Sequence, residues 1–295
     1  MVSYLMIRLI TSVLVLLSTC VAIQAQMATS LSLNKKNYVA GEPVIAEIVI
    51  TNHAGRDLTL ASSRELPWLA FVVTNSRGNP VNTRKLNVFG AMNIKSGESL
   101  AKQVDLTEFF LLDNEGNYAV SAVVRDPSKR IEGSSTNRML FNLNPGRTYW
   151  TQKLGVSSDK GSESREFKLL TFSDGQKSQL YAQVIDSHTG MKLRTFLLGD
   201  TLMLRKPMVT LDKTQRMHVM FLATPTMWVH CQVSADGQLV DRKIHERASQ
   251  GDPVLMAYGD GSVRVVNSIP YDPAAVAEQR SKIRKASDRP PISSE

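Results

Sequence analysis

Cysteine is nearly absent from this chain: two in 295 residues, Cys20 and Cys231. Cys20 lies in the leader region and leaves Cys231 alone in the remainder. A lone thiol closes no internal disulfide, so a fold stapled by disulfides is excluded. Catalytic signatures are missing as well. The chain has no Gly-x-Ser-x-Gly nucleophile elbow, no His-Glu-x-x-His pair, no phosphate-binding glycine loop and no cysteine pairs at metal spacing. Catalytic, cofactor-binding and metal-ligating residues are therefore all expected to be none. The one apolar run near the start, Leu9–Leu17, falls short of the roughly 20 residues that cross a bilayer.

That run has a different meaning. Arg8 is the only charged side chain in the first 34 residues, and it precedes the run. Small and polar residues follow, with Ala25-Gln26 as a cleavage point. A charged head, an apolar core and a small residue before the cut are what signal peptidase reads. Residues 1–25 are expected to be a signal peptide cleaved after Ala25. The mature chain would have no transmembrane span and would lie outside the cytoplasm, periplasmic or secreted. Leu17-Ser18-Thr19-Cys20 resembles the lipobox of bacterial lipoproteins, which makes lipidation of Cys20 and an outer-surface anchor the lesser alternative. Thr19 departs from the usual small residue there.

Charge is unbalanced but dispersed: 35 basic against 27 acidic residues give a net +8. Such a surplus attracts nucleic acid, anionic lipid or cell-wall polymer. The densest cluster is Arg280, Lys282, Arg284, Lys285 and Arg289. Basic residues are not interleaved with aromatics on one element, so nucleic acid is not an expected partner.

The chain reads as all-β. From Val44, apolar residues fall at Ala46, Ile48 and Ile50 with Glu47 on the other face, the period of a half-buried strand. Strand-like runs recur at 58–60, 68–73, 88–89, 99–104 and 118–124, separated by turns such as Asn75–Pro80 and Lys95–Glu98. Short strands at this spacing over residues 26–145 read as an antiparallel sandwich. Asp105 to Asp113 carries paired acids at 105 and 108, and reads as a strand-to-loop crossing whose apolar residues cap a core. Gly41-Glu42-Pro43-Val44, the strand ending Thr51-Asn52, Gly97-Glu98-Ser99 and Gly116-Asn117-Tyr118 resemble a bacterial Ig-like domain. The type is that of the intracellular proteinase-inhibitor family and of macroglobulin-like modules. The resemblance implies a sandwich framework and says little about ligand.

Residues 146–164 read as a linker, because the stretch after Val156 lacks large apolar residues. Over 165–270 the chain repeats itself. Gly190 and Gly237 lie 47 residues apart, and Pro207 and Pro253 lie 46 apart, an interval that resembles the propeller blade of roughly 40–50 residues. Only two and a half units are present. An open sheet, a ring completed by several chains and a second sandwich all remain open. Gly190 and Gly237 are expected to take positive φ in outer turns. His218, His230 and Cys231 fall on strands at no zinc spacing, and His230 and Cys231 should face opposite ways. His188 and His245, in polar surroundings, are expected to be solvated. Residues 271–295 read as a short helix followed by a basic, disordered tail.

Together these features predict an exported, non-enzymatic binding or structural protein that engages a protein or an envelope polymer. The alternative is a secreted hydrolase or protease inhibitor whose site is assembled from distant residues. Self-association through residues 165–270 is the expected partnership, with Val219 and Val265 as candidate edge positions.

Overall fold

A computed structural model of the protein describes residues 27–63, 66–85, 89–125, 133–158 and 161–286. The N-terminal segment with Cys20 and Ala25, position 88 and the residues beyond 286 lie outside the described residues. The fold is all-β, built of small, mainly antiparallel sheets that include a parallel strand pair.

The first strands are β1 (Met27–Leu33), β2 (Asn37–Val39), β3 (Ile45–Asn52), β4 (Leu58–Leu60), β5 (Leu69–Asn75), β6 (Met92–Ile94), β7 (Ser99–Asp105), β8 (Gly116–Val124), β9 (Ser134–Ser135) and β10 (Met139–Asn144). Packing divides the chain into two units. Unit 1 takes 27–36, 44–111 and 116–141, and unit 2 takes 37–43, 112–115 and the residues from 142 onward. This differs from the boundary expected at 145. Tyr38 and Val39 are fully buried, and Val39 packs with Leu170 and Tyr181 of unit 2, so apolar contact outweighs sequence order.

In unit 1, β3 lies between β1 and β7, all antiparallel. Ala46, Ile48 and Ile50 are fully buried while Ile45, Glu47 and Val49 are half-buried, so the period of two sets one face of the sheet inward. β5 pairs with β8 and turns Leu69, Phe71 and Val73 into the core. Trp68 is fully buried, and its Nε1–H donates to the Gly90 carbonyl at 3.0 Å. The crossing at 105–113 opens with a 3-10 turn, Leu106–Glu108, capped by Asp105 Oδ1, which accepts from Thr107 N at 2.9 Å. Leu106 and Phe110 are buried there, and Glu108 pairs with Lys85 at the surface. Phe89 is buried but belongs to no strand.

The remaining elements are β11 (Arg147–Ser158), β12 (Gly161–Ser173), β13 (Ser178–Asp186), β14 (Lys192–Thr201), β15 (Met208–Leu211), β16 (Met217–Leu222), β17 (Met227–Val233), β18 (Leu239–Arg247), β19 (Val254–Ala257), β20 (Val263–Val266), β21 (Ser268–Pro270) and helix α1 (Pro273–Ala286). They form a four-stranded meander β11-β12-β13-β14, a second meander β15-β16-β17-β18 with β21 added to its edge, and the hairpin β19-β20. Successive four-stranded meanders are the propeller-like feature of unit 2.

The supposed linker is a correction. Residues 147–158 are strand β11, paired with β12 from Arg147↔Thr171 to Ser158↔Gly161. β11 is an edge strand, and it exposes Thr151, Gln152 and Lys153 while Trp150 and Leu154 pack on the core. A polar edge strand has the composition of a linker. A fragment beginning at 160 would lack this strand.

The two meanders pack face to face. Phe167, Leu169, Leu180 and Val184 of the first meet Val219, Phe221, Val229 and Cys231 of the second. The outer face of the second meander, with Met220, Leu222 and Trp228, packs on Leu255 and Val265 of the hairpin. Gly190 (φ 72°) and Gly237 (φ 76°) each turn the third strand of a meander into the fourth, as the repeat implied. Pro207 precedes the first strand of the second meander and Pro253 the first strand of the hairpin. Val219, however, lies on a central strand paired on both sides and is not an edge position.

Candidate functional site

Three neighbouring strands of the second meander each carry one histidine on the same face: His218 on β16, His230 on β17 and His245 on β18. Strand alternation decides this. Val219, Val229, Cys231 and Ile244 point into the core between the meanders, so their chain neighbours His218, His230 and His245 point the other way. His230 and Cys231 thus face opposite sides, as expected. Relative exposures are 3% for His218, 5% for His230 and 6% for His245. For His245 this overturns the expectation of a solvated ring. Trp228 lies opposite it on β17 and Pro270 on β21, an added strand that nothing in the repeat announced.

The rings form a file. His218 and His230 are stacked with centroids 5.2 Å apart, and His230 and His245 are 6.2 Å apart. His218 Nδ1 lies 3.0 Å from His230 Nε2, and His218 Nε2 lies 3.2 Å from Asp212 Oδ2. Asp212 is held by its own turn: its Oδ1 accepts from Arg216 N at 2.9 Å and from the Thr214 hydroxyl at 2.7 Å. Gln215 completes the turn at φ 62°, an unusual conformation for a residue with a side chain. Burial pushes the Asp212 carboxyl up, but the Arg216 amide, the Thr214 hydroxyl and His218 together hold it below the usual carboxylate range. An ionised Asp212 only accepts, so His218 Nε2 carries a proton. The other ring nitrogen of His218, Nδ1, faces His230 Nε2 and links the two rings.

Burial, reinforced by His218 and His245, lowers the His230 pKa to about 4. Burial also lowers His245, with Lys243 adding to the effect and Asp241 opposing it. Among the described residues neither His245 ring nitrogen has a hydrogen-bond partner. Among the described residues no group of three His, Cys, Asp or Glu side chains is arranged to hold a metal ion. What the file does chemically is place a buried imidazole, His218, between a carboxylate and a second ring, His230, whose protonation burial disfavours.

The other candidates are placed separately. Cys231 is fully buried on the opposite face, and burial pushes its thiol up to about 12. His188 is exposed in the turn after β13. A cavity of about 640 Å³ is bordered by Lys177, Asp200, Leu202, Met203 and Leu204. Its two charges pair with each other at 2.9 Å. In α1, Lys282 pairs with Glu278 at 2.7 Å. Among the described residues no helix is long and apolar enough to cross a membrane.

Sequence reasoning missed Asp212 and the alignment of the three histidines. Spacings of 12 and 15 residues carry meaning only once the strand register is known. No protein-family model matches the chain, and no curated protein matches it. Among solved structures it is similar to Spo0M, a sporulation control protein from Bacillus subtilis, at 10% identity and a TM-score of 0.28. That superposition covers 57% of this chain and 83% of the other. A likeness that loose carries no argument about fold or function.

Proposed function

We propose that the protein is exported and acts outside the cytoplasm as a non-enzymatic binding or structural protein, engaging a protein or an envelope polymer. One observation supports this above the rest: its chemistry is buried and its apolar contact surface is exposed. The imidazoles that sit beside Asp212 are at most 6% exposed, whereas a base that serves a substrate must reach it. Large apolar side chains stand exposed around the hairpin β19-β20 instead: Val254 at 36%, Met256 at 44% and Tyr258 at 39%. Exposed apolar groups clustered in this way mark interaction surfaces. In this reading unit 1 is an Ig-like sandwich, supported by the turn at Gly97 and the inward alternation along β3.

The net charge of +8 favours an anionic polymer of the envelope. Cosedimentation with purified cell-wall polymer tests this. The protein should pellet with the polymer at low salt and be released as salt screens the charge. If it stays in the supernatant, and cross-linking in the native envelope captures no protein neighbour, the reading is wrong.

A further inference from the structure

Unit 2 builds its sheets as four-stranded meanders twice and then stops at two strands, β19 and β20. The hairpin's hydrogen bonding shows which edge is left open. Tyr258 N donates to the Ser262 carbonyl at 2.9 Å, which makes 258 and 262 a bonded pair. Bonded and non-bonded pairs alternate in antiparallel ladders. With Met256↔Arg264 and Val254↔Val266 in register, the N–H and C=O groups of Val263 and Val265 point away from β19. Among the described residues no backbone hydrogen bond takes them up. An edge of this kind recruits a strand.

We propose that two copies of the chain pair antiparallel through β20, so that their hairpins join into one four-stranded sheet. This deepens the reading above by naming a protein partner: a second copy of this chain. Two features favour it. Each copy brings two strands, and together they reach the four of the complete meanders. The sequence Val263-Arg264-Val265-Val266 also selects one register. A two-fold axis must keep the inward face inward, so it passes through a residue rather than between two. Through Val265, the two Val265 residues exchange N–H···O=C bonds, and each Arg264 faces Val266 of the second copy. Through Arg264, two guanidinium groups would stand opposite each other, which is repulsive. Arg264 is exposed and lies over the Tyr258 ring at 5.3 Å, so its side chain stays on the outer face.

Sedimentation equilibrium of the purified protein tests this, with a paired substitution at Val266. Proline at Val265 is avoided because that side chain packs on the Trp228 cluster. Val266→Glu places a carboxylate opposite Arg264 twice per dimer, and Val266→Lys places an ammonium there. The wild type should reach a monomer–dimer equilibrium. Glu should tighten it and Lys loosen it, each by about 2- to 30-fold, with both effects fading in salt. A general loss of folding would move both variants the same way. A protein that is monomeric at every attainable concentration overturns the proposal, as do two variants that shift together. Binding of envelope polymer is read separately by cosedimentation, so its failure and this one are distinguishable.

Discussion

Acidification should destabilise the protein through the histidine file, and His230 sets the size of the effect. An ordinary imidazole titrates near 6.5, whereas His230 in the folded protein titrates at about 4. The unfolded chain therefore binds a proton more readily than the folded one. Stability is fully present above about pH 6.5 and is lost as pH falls toward about 4. A gap of about 2.5 pH units corresponds to about 3 kcal/mol. His245, also lowered, adds to the loss in the same direction. Asp212, with its depressed pKa, is lost only at lower pH. The assay is urea unfolding followed by tryptophan fluorescence across this window, in the wild type and in His230→Phe. Phe cannot titrate, so its curve should be flatter and the two proteins should converge on acidification. A midpoint that is flat between about pH 6.5 and 4, or that rises as pH falls, would refute the reasoning.

Two further outcomes follow from the core and the turns. Cys231, fully buried with its thiol pushed up to about 12, should resist an alkylating reagent in the native state and react only on unfolding; fast labelling of folded protein would contradict this. Gly190→Ala and Gly237→Ala place a side chain at nearly the same positive φ, but a Cβ at 237 would lie 2.8 Å from Arg194 Cβ while one at 190 meets nothing within 4 Å. The first should cost about 1 kcal/mol and the second about 2–3 kcal/mol in thermal or chemical unfolding, and equal losses would show that Arg194 yields freely.

Local pattern carried much of the fold. The alternation along β3 and the glycines at 190 and 237 are set by neighbours in sequence, and a single sequence displays them. What it concealed depends on pairing. β11 passes for a linker because only one side of an edge strand meets a core. Residues 37–43 adjoin unit 1 in sequence yet pack in unit 2, where the Gln183 amide donates to the Ala40 carbonyl at 3.2 Å. The candidate site was least legible of all. The burial of His245 requires β21 on the edge of β18, and the role of Asp212 requires a turn with Gln215 at positive φ. Neither leaves a motif.

Export underlies the whole functional proposal, because an envelope ligand presupposes it. Mass spectrometry of the protein recovered from fractionated cells of its native host reads this directly. The predicted result is a chain that begins at Gln26 in the extracytoplasmic fraction. A chain that retains residues 1–25 in the cytoplasm would contradict the account, and one that begins at a lipid-modified Cys20 would contradict release from the membrane.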